Sequence, residues 1–122
     1  MRNLVERRLL IVEDDLDVLE GLQLWAEDLG WEACTAQSGH QALEILSAFK
    51  PRILITDYLL EDDVTGVDII LQLRKLSPSA TCVLMTGALQ QALRSALARL
   101  QGVMILAKPL NLDRLRQIVS TA

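Results

Sequence analysis

Four uninterrupted apolar runs of strand length constrain this chain more than any other feature: Leu9-Leu10-Ile11-Val12, Ile53-Leu54-Ile55, Cys82-Val83-Leu84-Met85 and Val103-Met104-Ile105-Leu106. A strand wetted on one side alternates apolar with polar residues, so a continuous run implies cover on both faces. A more modest run, Trp31 to Thr35, reads as a further strand. Between the runs the apolar spacing changes to helical periodicity. Val18, Leu22, Trp25 and Leu29 mark a first helix that Gly30 stops and that Asp15 or Asp17 caps. Ser38 offers an N-cap to a second helix carrying Ala42, Leu43, Ile45 and Leu46, and Pro51 closes its connection to the next strand. Val67, Ile70, Leu73 and Leu76 define a third, ended by Ser77-Pro78 because proline forbids continuation. Leu89, Leu93, Ala96 and Leu100 define a fourth with Gly102 as its C-cap, and Asn111 or Asp113 begins a last one bearing Leu112, Leu115 and Ile118. Strand and helix thus alternate five times, which predicts an α/β fold: a five-stranded parallel sheet with right-handed crossovers and five helices on its two faces.

Within that frame 122 residues amount to one domain, and 51% hydrophobic residues suffice for a core without staples. No apolar run approaches membrane-spanning length, and Arg2, Glu6, Arg7 and Arg8 stand where a signal peptide would be apolar, so a cytoplasmic location is expected. Cys34 and Cys82 lie far apart, without metal-ligand spacing and in strands, which favours buried reduced thiols over a disulfide. A net charge of -4, with no basic run longer than Arg7-Arg8, argues against direct nucleic-acid binding. Trp31 and Tyr58 are too few to form a base-stacking surface, and Trp25 reads as core. No repeat, linker or low-complexity tract is visible.

The chemistry sits where the strands stop. In open α/β sheets ligands bind beyond the carboxyl ends of the strands. Those ends supply Glu13 and Asp14 after the first run, Asp57 after Ile53-Leu54-Ile55-Thr56, Thr86 after the fourth strand and Lys108 after the fifth. Three clustered acids repel, and keeping them ionised requires a cation. A hard divalent ion fits: Mg²⁺ takes one or two carboxylates plus waters and phosphate oxygens. Asp57 would then act as nucleophile toward a phosphoryl group, forming an aspartyl phosphate whose oxygens Mg²⁺, Lys108 and Thr86 share.

With those residues in view, the chain resembles the receiver domain of two-component response regulators, over essentially its whole length from Leu9 to about Val119, as a single domain spanning residues 1–122. Glu13-Asp14 matches the family's acidic pair, Asp57 its phosphoacceptor, Thr86 its switch hydroxyl, and Lys108-Pro109 its lysine with a typically cis proline bond. Each piece alone is a weak signal; five in order at successive strand ends are a strong one. The resemblance implies a flavodoxin-like (βα)5 doubly wound fold and Mg²⁺ bound directly by Asp14, through water by Glu13, and by the backbone carbonyl of Leu59. It also implies a histidine kinase or phosphotransfer protein as phosphodonor. Such a domain is no enzyme beyond its own phosphorylation and dephosphorylation. An output partner, an effector domain or a second copy of the chain would bind the Leu89–Leu100 helix, the fifth strand and the last helix.

Three departures from the family pattern carry consequences. The loop from Asp57 to Gly66 is about one residue longer than the commonest version and lacks its frequent proline. Ile105 replaces the Phe or Tyr whose rotation often follows the switch hydroxyl. The chain also stops at Ala122 with no effector domain, which is expected either of a single-domain regulator or of a segment cut from a larger protein. Leu59 and Ala88, two residues beyond the phosphoacceptor and two beyond the switch hydroxyl, cannot orient a hydrolytic water, which predicts a long-lived phosphate. His40 reads as a plain surface residue and Asp62-Asp63 as a solvated loop. Rival functions fit less well. An aspartate phosphatase of Asp-x-Asp type would need an acid where Leu59 stands, and a dinucleotide-binding domain would need glycines where Glu13-Asp14-Asp15 stands. A pseudo-receiver that binds a partner without chemistry is the remaining alternative, and such domains tend to lose the acidic residues retained here.

Overall fold

A computed structural model describes residues 7–87, 91–98 and 100–122. Five strands, β1 (Arg8–Val12), β2 (Glu32–Ala36), β3 (Ile53–Asp57), β4 (Thr81–Thr86) and β5 (Val103–Ala107), alternate with α1 (Leu16–Asp28), α2 (Gly39–Phe49), α3 (Gly66–Leu76), α4 (Gln91–Leu97) and α5 (Leu112–Ser120). All neighbouring strands are parallel, in the order β2-β1-β3-β4-β5. The winding direction reverses between β1 and β3, and the crevice at such a reversal is where doubly wound sheets hold ligands.

The period of two along each strand splits the core into two layers. Leu9, Ile11, Ile53, Ile55, Val83 and Met85 face α1 and α5 through Leu19, Leu22, Ala26, Leu115, Ile118 and Val119. Leu10, Leu54, Cys82 and Leu84 face the other way, onto Ala42 and Leu46 of α2, Ile69, Ile70 and Leu73 of α3, and Leu93 of α4. Leu9 through Val12 and Ile53 through Ile55 are fully buried, as doubly covered strands require. Both cysteines are free, Cys82 buried and Cys34 partly so, and burial pushes the Cys82 thiol above its ordinary value. Asp15 caps α1, Ser38 caps α2 and Asn111 caps α5. Thr65 and Asp68 form a reciprocal capping box on α3.

Several expectations shift. The second strand runs from Glu32 rather than Trp31, whose ring lies 5.2 Å from the Arg7 guanidinium. The buried stripe of α1 is Leu19, Leu22 and Ala26, one residue off the expected one at two of its three positions, and Val18, Trp25 and Leu29 flank it half-buried. Leu76 and Leu112, expected on core faces, are 43% and 46% exposed because each lies at an end of its helix, beyond the sheet's cover. Gly102 does not cap α4, which ends at Leu97; its φ of +76° turns the chain into β5 instead. Leu89 lies outside the described residues. No helix among the described residues is long and apolar enough to cross a membrane.

Candidate functional site

Parallel pairing brings every strand's carboxyl end to one edge, and there the side chains meet. Val12 is paired with Thr56, Asp57 with Met85, and Thr86 with Ala107, so Glu13, Asp14, Asp57, Thr86 and Lys108 lie at or one or two residues past paired strand ends. Glu13, Asp14 and Asp57 each present a carboxylate oxygen within 4.8 Å of the others. Glu13 is buried, while Asp14 and Asp57 are half-buried.

Lys108 links the acids of two strands. Its Nζ donates to Glu13 Oε2 and to Asp57 Oδ2, each at 2.9 Å. Its own backbone N–H donates to the Thr86 carbonyl at 2.9 Å, which ties the position of the ammonium to the end of β4. The Lys108–Pro109 peptide bond is cis. Burial disfavours the charged lysine, but the hydrogen bonds to Glu13 and Asp57 outweigh it, and the ammonium is held above its ordinary range. Burial dominates at Glu13 and raises its carboxyl, despite the hydrogen bonds it accepts from Lys108 and from the Asp15 N–H. The two directions describe one pair: a nearly inaccessible carboxyl whose burial opposes its charge, beside an ammonium that favours it. Additional positive charge would relieve the same strain, and an all-oxygen, largely carboxylate donor set suits a hard divalent cation. The residues therefore fit Mg²⁺.

The backbone around Asp57 is pinned from three sides. Thr56 Oγ1 donates to the Asp57 carbonyl at 3.0 Å, the Tyr58 N–H to Met85 at 2.9 Å, and the Gly66 N–H to the Tyr58 carbonyl at 2.8 Å. A Cβ on Gly66 would stand 2.3 Å from the Asp57 carbonyl oxygen, so only glycine fits where the loop returns. Leu59, two residues past Asp57, is 54% exposed beside this site. Thr86 is buried, whereas Ile105 is 42% exposed on the edge strand β5. Ala88 lies outside the described residues.

His40 lies at the surface and Asp62-Asp63 in a loop, as expected, but both are engaged. The Asp62 carboxylate accepts from the Gly39 N–H at 3.2 Å and the His40 N–H at 2.9 Å, at the first turn of α2. His40 Nε2 lies 2.8 Å from Asp63 Oδ1. The contacts made by Thr56, Gly39 and Val64 were not read from the sequence. A hydroxyl at the end of an apolar run and a Ser-Gly pair at a helix start were the signals for the first two, and Val64 carried none.

Comparison with known proteins agrees with this geometry. The family model described as the response regulator receiver domain matches residues 9–120. The transcriptional regulatory protein GlrR of Escherichia coli is 32% identical over 117 residues, covering 93% of this chain and 26% of that protein. The photosynthetic apparatus regulatory protein RegA of Cereibacter sphaeroides is 33% identical over 104 residues, covering 85% of this chain and 56% of RegA. The chain thus spans about a quarter to about half of the length of these relatives. A response regulator receiver protein from Sinorhizobium medicae superposes with a TM-score of 0.87 at 22% identity, covering 98% of this chain and 95% of that one. The Vibrio cholerae chemotaxis protein CheY4 gives 0.80 at 20% identity, covering 93% and 96%. The match of one family model from residue 9 to residue 120, over a parallel sheet whose strand ends bring three acids and a lysine together, makes this chain a member of the response regulator receiver domain family of two-component signalling.

Proposed function

We propose that Asp57 accepts a phosphoryl group from a phosphohistidine on a histidine kinase or phosphotransfer protein. The observation that carries this reading is the ammonium of Lys108 held at 2.9 Å from both Glu13 and Asp57, beside Asp14. An Asp57 carboxylate oxygen forms the new O–P bond while the N–P bond of the donor breaks and its electron pair returns to the imidazole. Glu13, Asp14, Asp57 and the Leu59 carbonyl would hold Mg²⁺, which supplies charge neutralisation and oxygen coordination for the phosphoryl group. Lys108 already contacts the attacking carboxylate and follows the charge onto a phosphoryl oxygen. The Thr86 hydroxyl, at the end of the adjacent strand, serves another.

That redistribution couples to the surface through β4 and β5, since Lys108 and Thr86 share a backbone hydrogen bond. Met104 and Ile105, which point to opposite sides of the edge strand β5, and Leu112 on α5 are large apolar residues left 42%, 42% and 46% exposed, and the edge made by α4, β5 and α5 is where an output partner, an effector domain or a second copy would dock. The pseudo-receiver alternative is not favoured, because the residues that such a domain dispenses with are the ones assembled here. Divalent-ion dependence tests the chemistry: acetyl phosphate should label the protein in the presence of Mg²⁺ and fail to do so with the metal chelated. Full labelling under chelation would overturn the mechanism.

A further inference from the structure

The eight residues between β3 and α3 run along the mouth of the site and supply Leu59, yet their hold on the rest of the molecule lies elsewhere. At the tip, Asp62 Oδ1 and Oδ2 accept from the Gly39 and His40 amides of α2, at 3.2 and 2.9 Å. These are two of the amides that the start of a helix leaves without an internal partner. Ser38 Oγ takes a third, from Gln41, at 3.1 Å. One residue on, the Asp63 carboxylate meets His40 Nε2 at 2.8 Å. One residue further, Val64 packs so closely on Gly39 that a Cβ there would lie 2.4 Å from Val64 Cβ. Three consecutive loop residues therefore grip two consecutive helix residues by charge, hydrogen bond and contact. The loop's ends are fixed separately, by Tyr58 on Met85 and Gly66 on Tyr58.

We propose that Asp62 is a positioning residue for the phosphoacceptor site, clamping the β3–α3 loop onto α2, and that the His40–Asp63 pair tightens this clamp when His40 is protonated. The proposal rests on the reading of Asp57 and its metal given above. Clamping fixes the Leu59 carbonyl with respect to Asp57, so that the cation meets a preformed set of oxygens instead of ordering a mobile loop on binding. Eight residues outside the regular elements, with no proline among them to restrict the backbone, gain order from such an external anchor. Among the described residues, the charged groups facing His40 are Asp63 and Asp62 from the loop and Glu44 from α2 itself. All three are acids, with the Asp63 hydrogen bond the largest influence, and they raise the imidazole above its ordinary value. The contribution of the pair is accordingly complete below the ordinary histidine value and lost as pH rises through the raised one.

The test is Mg²⁺ affinity by calorimetry on the whole chain, with hydrogen exchange of the 58–65 peptide beside it. Asp62→Ala should weaken Mg²⁺ binding by about fivefold, the scale of a lost helix cap, and speed loop exchange, while labelling stays confined to Asp57. Asp62→Asn, which keeps one acceptor, should fall between. Ser38→Ala removes the other cap of α2 without touching the loop; it should lower Tm comparably yet leave Mg²⁺ affinity at the wild-type value. His40→Gln should weaken binding by about twofold near pH 6, and that gap should close as pH rises through the raised imidazole value. Wild-type affinity and loop exchange in Asp62→Ala, or an equal loss of affinity in Ser38→Ala, would overturn the clamp alone. A wild type that binds no Mg²⁺ would overturn the reading of the site as well.

Discussion

Strands β1 and β5 are spelled almost alike, Leu-Leu-Ile-Val running directly into Glu13 and Val-Met-Ile-Leu reaching Lys108 one residue later, yet the molecule treats them differently. All four apolar residues of β1 are fully buried, whereas Met104 and Ile105 of β5 are each 42% exposed. Strand order accounts for the difference: β1 sits between β2 and β3, while β5 pairs only with β4. An apolar run reports that a strand belongs to the sheet; it does not report whether both its faces and both its edges are covered. The consequence is a division of labour. The clustered carboxylates follow fully buried central strands, where close packing resists displacement. Lys108 follows an edge strand bearing exposed apolar surface, where a displacement disturbs fewer neighbours.

Truncation should expose this asymmetry most strongly. Leu54→Ala, in the centre of the sheet, is expected to cost about 3 kcal/mol in chemical denaturation, against less than about 1 kcal/mol for Met104→Ala. Equal losses would break the comparison. Gly66→Ala should cost about 2 kcal/mol, because its Cβ must displace the Asp57 carbonyl 2.3 Å away. Phosphorylation of that variant should slow more than its stability loss explains.

Next in size is the lifetime of the mark. Leu59, exposed and apolar beside Asp57, offers no hydrogen bond to a water in line with the phosphorus. Leu59→Asn should therefore speed phosphate loss by about tenfold, or about 1.4 kcal/mol of barrier, when decay is followed by mass after the donor is removed. Unchanged decay would remove water orientation at Leu59 as the cause.

The smallest effect concerns pH. Lys108 is held above its ordinary value of 10.5, so its pairing with Glu13 and Asp57 stabilises fully below that value and is lost as pH rises past it. With Lys108 about a third exposed, the term is under about 1 kcal/mol. The difference in thermal stability between wild type and Lys108→Met should be constant from pH 8 to 10 and shrink above 10.5. A difference that widens there would contradict the assignment of the pair.

How much of this could be read from the sequence follows from the range of the interactions. The strands, the helices and the residues at the strand ends were legible, because periodicity is local and a parallel sheet carries every strand end to the same edge. The exposure of Ile105 was not, since it depends on which strand lies at the edge. Neither were the roles of Asp62 and His40, whose hydrogen bond joins residues 22 positions apart with no local pattern to announce it. The offset of the α1 stripe, from Val18 and Trp25 to Leu19 and Ala26, has the same origin: a row of apolar residues on a helix is wider than the line that touches the sheet.

If the acids at the ends of β1 and β3, linked by Lys108, form a phosphoacceptor centre with Asp57 as its nucleophile, incubation with acetyl phosphate and Mg²⁺ should add a single phosphoryl group to the wild type, by intact mass, and none to Asp57→Asn. Undiminished labelling of Asp57→Asn, or a wild type that takes up no phosphoryl group, would rule that centre out.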